Sequence, residues 1–64
     1  MMCESHAYVI RDGGEEKILD DVTFVKPEGD RVVLRNLLGD EVTVKGKIEE
    51  IQFMDHKMLL RETA

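Results

Sequence analysis

The sequence predicts an all-β domain of about six short strands, and three observations predict it. Apolar runs are short, turn residues recur between them, and no stretch keeps a helical spacing long enough to form a substantial helix. Ser5 to Arg11 holds Ala7, Tyr8, Val9 and Ile10, a strand-length apolar run. Asp12-Gly13-Gly14 follows, residues that tolerate positive φ and signal a hairpin. Glu16 to Leu19 returns, and Asp20-Asp21 breaks the chain. Val22 and Phe24 alternate around Thr23 as a half-buried strand does.

Pro27-Glu28-Gly29-Asp30 reads as a turn, with proline presetting φ. Arg31 to Asn36 carries Val32, Val33 and Leu34, and Leu38-Gly39-Asp40 turns again. Val42 and Val44 alternate with Thr43 and Lys45 up to Gly46. From Lys47 to Met54 the apolar residues Ile48, Ile51 and Phe53 break the period of two, which predicts a strand with a bulge near Glu49-Glu50. Lys57 to Arg61 closes the series after a turn at Asp55-His56. Short strands joined by tight turns favour a closed sheet, because closure removes exposed edges. The expected architecture is therefore a small SH3-like or Sm-like barrel of antiparallel strands, residues 1–64 forming one domain. Its expected core is Val9, Ile18, Val22, Phe24, Val33, Val42, Val44, Ile48, Ile51, Phe53, Leu59 and Leu60.

A chain of 64 residues buries only about 60% of its unfolded surface, so its core is marginal and a supplement is expected. Cys3 is the only cysteine, which rules out an internal disulfide and fits a reducing, cytoplasmic setting. Self-association or a metal remains. No apolar run approaches the roughly 20 residues of a membrane helix, and no signal peptide is read at the N-terminus. Fourteen acids against nine bases give a net charge of −5, which counts against nucleic-acid binding. With Phe24, Phe53 and Tyr8 as the only aromatics, base stacking is thinly provided for.

Catalytic signatures are missing from the sequence: there is no phosphate-binding glycine loop, serine elbow or paired cysteine motif. Glu15-Glu16, Asp20-Asp21 and Glu49-Glu50 are adjacent pairs, and neighbours on a strand face opposite ways, so they read as solvated surface. The expectation is a protein that is not an enzyme. His6 and His56 read first as structural, His56 in a turn and His6 in the opening strand. Met54 and Met58 read as packing or subunit contacts before metal ligands. Cys3 has two readings. One is a small buried hydrophobe. The other is a chelating thiolate, which with nearby main-chain nitrogen gives the square-planar nitrogen and sulfur donors that suit Ni(II) or Cu(II). One cysteine is too few, and a twofold axis would supply the same donors twice.

Met2-Cys3-Glu4-Ser5, Ala7-Tyr8-Val9, Asp20-Asp21-Val22, Asn36-Leu37-Leu38-Gly39 and the tail from Gly46-Lys47-Ile48 through Asp55-His56-Lys57-Met58-Leu59-Leu60 together resemble the CooT family. These are small nickel-binding proteins linked to maturation of carbon monoxide dehydrogenase; members have also been labelled predicted RNA-binding proteins. The resemblance implies a homodimer that binds Ni(II) through Cys3, with a nickel-dependent metalloenzyme as client. The alternative it leaves is an RNA-binding small β-barrel. The family carries its cysteine second, whereas this chain begins Met1-Met2-Cys3. A start at Met2, followed by methionine removal, would leave Cys3 with a terminal amine.

Overall fold

The computed structural model describes residues 5–63. Six strands follow in order: β1 (His6–Arg11), β2 (Gly14–Leu19), β3 (Val22–Glu28), β4 (Arg31–Asn36), β5 (Glu41–Gln52) and β6 (Lys57–Glu62). They form one sheet of order β2-β1-β6-β5-β4-β3. All neighbours are antiparallel except β1 and β6, which run parallel. The all-β expectation holds. Closure does not: β2 and β3 stand at the two ends of the sheet order with no ladder between them. The expected barrel is therefore corrected to a folded open sheet. Charge on β2 accounts for this physically, since Glu15, Glu16 and Lys17 are all exposed along it. Charged side chains blunt an edge that would otherwise pair.

β5 holds the two halves of the sheet together. Glu41 to Lys45 pairs with β4, and Gly46 to Gln52 pairs with β6. Gly46, expected to end a strand, is instead the corner where one continuous strand changes partner. The bulge foreseen near Glu49-Glu50 appears as a register shift between Ile48 and Glu50. Pro27 also differs from expectation. It lies inside β3, opposite Val32, and only Gly29-Asp30 turns the chain. A strand at the end of the sheet order has an outer side with no ladder to fill, so a residue without an N–H is tolerated there.

The core is Ala7, Val9, Leu19, Val22, Val32, Leu34, Val44, Met58 and Leu60, drawn from every strand. Leu59 is buried as well. Val9, Val22, Val44, Leu59 and Leu60 were expected; Ile18, Val42 and Ile48 pack against the core half-buried. Four assignments are corrected. Val33 is only half-buried, while its neighbours Val32 and Leu34 are buried. Three apolar residues in a row leave the parity of a strand undecided, and a slip of one exchanges its faces. Phe24, Ile51 and Phe53 are exposed, Phe53 by 81%. Two of these three lie at the end of β5 and in the turn after it, where no strand covers them.

Candidate functional site

Four segments meet at one end of the molecule, and backbone hydrogen bonds knit them. The Ser5 carbonyl accepts from the Val22 amide at 2.8 Å, and the Asp21 carbonyl accepts from the Leu37 amide at 3.0 Å. The His56 carbonyl accepts from the His6 amide at 2.9 Å. The His56 amide closes its own turn on the Phe53 carbonyl at 3.3 Å. The start of β1, the Asp20-Asp21 link, the loop after β4 and the turn before β6 thus form one pole. Asp21 and His56 adopt positive φ, 51° and 53°, to make these sharp changes of direction. Both residue types are among those that tolerate the left-handed region better than most.

The loop after β4 is shaped by one buried amide side chain. Asn36 Oδ1 accepts from the amides of Leu38 at 3.0 Å and Asp40 at 2.8 Å, and its Nδ2 donates to an Asp40 carboxylate oxygen at 3.3 Å. Asn36 is the buried polar residue of the described core. Holding the loop this way turns Leu37 and Leu38 outward, 67% and 85% exposed. Phe53 and Met54 in the other turn are 81% and 93% exposed. Sequence reasoning took Phe53 for core and did not weigh Leu37 or Leu38. The signal lay in Asn36 itself, since an Asn ahead of Leu-Leu-Gly-Asp can bond its own following amides. Asn36→Ala is expected to lower stability by about 1–3 kcal/mol, because two loop amides lose their acceptor. A urea titration followed by circular dichroism measures it.

Charged groups flank the same pole. His6 Nδ1 lies 3.1 Å from an Asp20 carboxylate oxygen and 3.4 Å from the Asp21 amide nitrogen. In the hydrogen-bonded contact the Asp21 amide donates to Nδ1. Lys17 Nζ reaches the same Asp20 oxygen at 2.9 Å. That hydrogen bond holds the Asp20 carboxyl below its ordinary value and raises the Lys17 ammonium. Hydrogen bonds from Arg61 and Arg11 likewise lower Glu49 and Glu62. A lowered carboxylate contributes stability above its unfolded value and loses it as pH falls through the folded value. The melting temperature is expected to hold from neutral pH to about 5 and to drop below about pH 4. Thermal melts at low and high salt check this, and salt should flatten the drop.

Cys3, the residue read as a metal ligand, lies outside the described residues. Among the described residues no group of three or more His, Cys, Asp or Glu side chains could hold a metal ion. His6 and His56 share the pole through their backbones. Met58 is core, as one of its readings had it, whereas Met54 points to solvent. No described helix is long and apolar enough to cross a membrane.

Residues 2–61 match the family described as CO dehydrogenase accessory protein CooT. The chain belongs to the CooT family. A crystal structure from Carboxydothermus hydrogenoformans, under the name CooT, superposes with a TM-score of 0.87 at 29% identity, covering 97% of this chain and all of that one. No curated protein matches. Membership assigns the chain an accessory role toward carbon monoxide dehydrogenase. The motifs quoted from the sequence fall within the matched residues, and the Asn36 loop and the Ser5 carbonyl bond at the pole fall there too.

Proposed function

We propose that this CooT-family chain is a dimeric Ni(II) carrier for maturation of carbon monoxide dehydrogenase, with the Cys3 thiolate of each copy as a metal ligand. One observation carries the reading. Ser5, the first described residue, bonds through its carbonyl within a pole that exposes Leu37, Leu38, Phe53 and Met54. Cys3 precedes Ser5 by two residues in the sequence. Large apolar side chains concentrated at one end of a small protein mark an interaction surface. A second copy docked there brings two thiolates to one axis, the doubling that a single-cysteine site requires.

The donor chemistry agrees with the cargo. Thiolate sulfur with main-chain nitrogen favours a square-planar ion such as Ni(II), and a lone thiol suits the reducing cytoplasm. The described histidines and carboxylates supply no competing cluster. Calorimetric titration of Ni(II) into protein beginning at Cys3 tests the proposal beside a Cys3→Ala variant. Affinity is expected to fall by more than the roughly 10–100-fold that loss of an outer-shell partner costs, since a direct donor is removed. Equal affinity would take Cys3 out of the site. Retaining Met1-Met2 ahead of Cys3 is expected to weaken binding if the terminal amine is a donor.

A further inference from the structure

A second surface differs from the pole in chemistry and lies on another part of the fold. The registers of β3, β4 and β5 align their residues in rows. Pro27–Val32–Val44 and Val25–Leu34–Val42 form two rows, and Val32, Val44 and Leu34 within them are buried. The alternate rows, Glu28–Arg31–Lys45, Lys26–Val33–Thr43 and Phe24–Arg35–Glu41, share the opposite face, and only Val33 among them is half-buried. That outer face carries Lys26, Arg31, Arg35 and Lys45 against Glu28 and Glu41. Asp30 at the turn adds one more carboxylate, 3.8 Å from Arg31. The face is still net positive on a chain whose net charge is −5.

Internal pairing uses only part of this charge. Lys26 meets Glu28 at 3.4 Å, and Arg35 meets Glu41 at 3.2 Å while lying 4.6 Å over the Phe24 ring. Arg31 and Lys45 are paired less evenly: Arg31 has Glu28 opposite it on β3 and Asp30 3.8 Å away, while Lys45 faces Arg31. They stand directly opposite each other across the β4–β5 ladder. Like charges so placed oppose folding, and Glu28 and Asp30 offset only the Arg31 side of the pair. Arg31 and Lys45 line a depression of about 290 Å³ together with Asp30 and Thr43. A local arrangement that opposes the fold is a marker of function elsewhere in the energy balance.

We propose that the outer face of β3, β4 and β5 docks an acidic protein segment, whose carboxylates bind Arg31 and Lys45 and whose apolar side chains rest on Val33. Charge complementarity selects this occupant. A second copy, at −5, brings mostly acids but has its own apolar surface at the pole. A nucleic acid would want several stacking platforms. Here Phe24 is the one aromatic on the face, and Arg35 already covers its ring.

The test uses nitrogen-labelled full chain with a glutamate-rich peptide or a single-stranded oligouridylate as probe. Amide shifts under the peptide are expected at Arg31, Val33, Thr43 and Lys45, diminishing as salt rises. Lys45→Glu sets opposite charges across the β4–β5 ladder, and Arg31→Gln removes the cation without setting a carboxylate opposite Glu28; a circular dichroism spectrum of each variant checks that it keeps the fold. Each is expected to weaken the peptide about tenfold, the effect of losing one charge pair. Undiminished binding in both variants, or shifts confined to other strands, would overturn the assignment. Tighter binding of the oligouridylate on the same face would overturn it in favour of nucleic acid. Ni(II) affinity is independent of these outcomes, so failure here leaves the metal reading standing.

Discussion

Gly46→Ala is expected to destabilise the protein by about 3 kcal/mol or more, the upper range for forcing extra atoms into a packed interior. A Cβ at this position would fall within van der Waals distance of the Arg61 carbonyl oxygen, and 3.0 Å from both the Arg61 carbonyl carbon and the Glu62 Cα. All three are backbone atoms of β6, so no side-chain rotation relieves the clash. The strands must separate at the one residue where β5 leaves β4 for β6. Separation also threatens the Gly46 amide, which donates to the Asp30 carbonyl at 2.9 Å, and the neighbouring bond from the Thr63 amide to the Lys45 carbonyl at 2.9 Å. Chains of this size have total stabilities of roughly 3–10 kcal/mol, so a loss of this size removes much of the folded population. Melting temperature should drop by roughly 15 °C or more. Gly13→Ala is the comparison. Gly13 has φ of 90° and open space around its Cβ position, so its cost is conformational alone, about 1–2 kcal/mol. Equal losses at the two sites would show that β6 yields and that the corner is not tightly packed.

The same residue shows which parts of this fold are legible in sequence. Strand number and most strand positions follow from local signals, since apolar runs and turn residues are properties of neighbours along the chain. The bulge at Glu49-Glu50 was legible for that reason too. Gly46 was not, because a glycine that ends a strand and one that lets another strand come close look alike in one dimension. Only the ladder partners on β6 separate them. The parity of Val32-Val33-Leu34 was hidden for a related reason: three apolar residues leave both faces plausible until the other half of the sheet chooses. Closure was misjudged because the charges on β2 were read as solvated surface and not as a guard on an open edge. Cys3, outside the described residues, stood out by its position near the start of the sequence. The apolar pole did not, because Leu37, Leu38, Phe53 and Met54 are four residues of two separate turns. Hydrogen bonds through Ser5, Asp21 and His56 unite them only in three dimensions.

A charge placed on each of those turns, as in the Leu38→Asp/Phe53→Asp double variant, is expected to turn the proposed dimer into a monomer. Both side chains are more than four-fifths exposed in the single chain, so the substitutions leave the core untouched. Burying an unpaired carboxylate in an interface costs several kcal/mol, and two per copy act on both halves of a symmetric contact. Association should weaken by a factor of at least about 1000, the scale of losing two central apolar anchors. Sedimentation velocity measures the change in mass, and a thermal melt of the variant confirms that the monomer remains folded. Nickel supplies the second readout. If the two Cys3 thiolates share one ion, the monomer should bind Ni(II) far more weakly, with one ion per chain in place of one per pair. A monomeric variant that keeps the parent's affinity would place the whole site within one copy and sever the link between association and metal. A variant that stays dimeric would move the interface away from this pole.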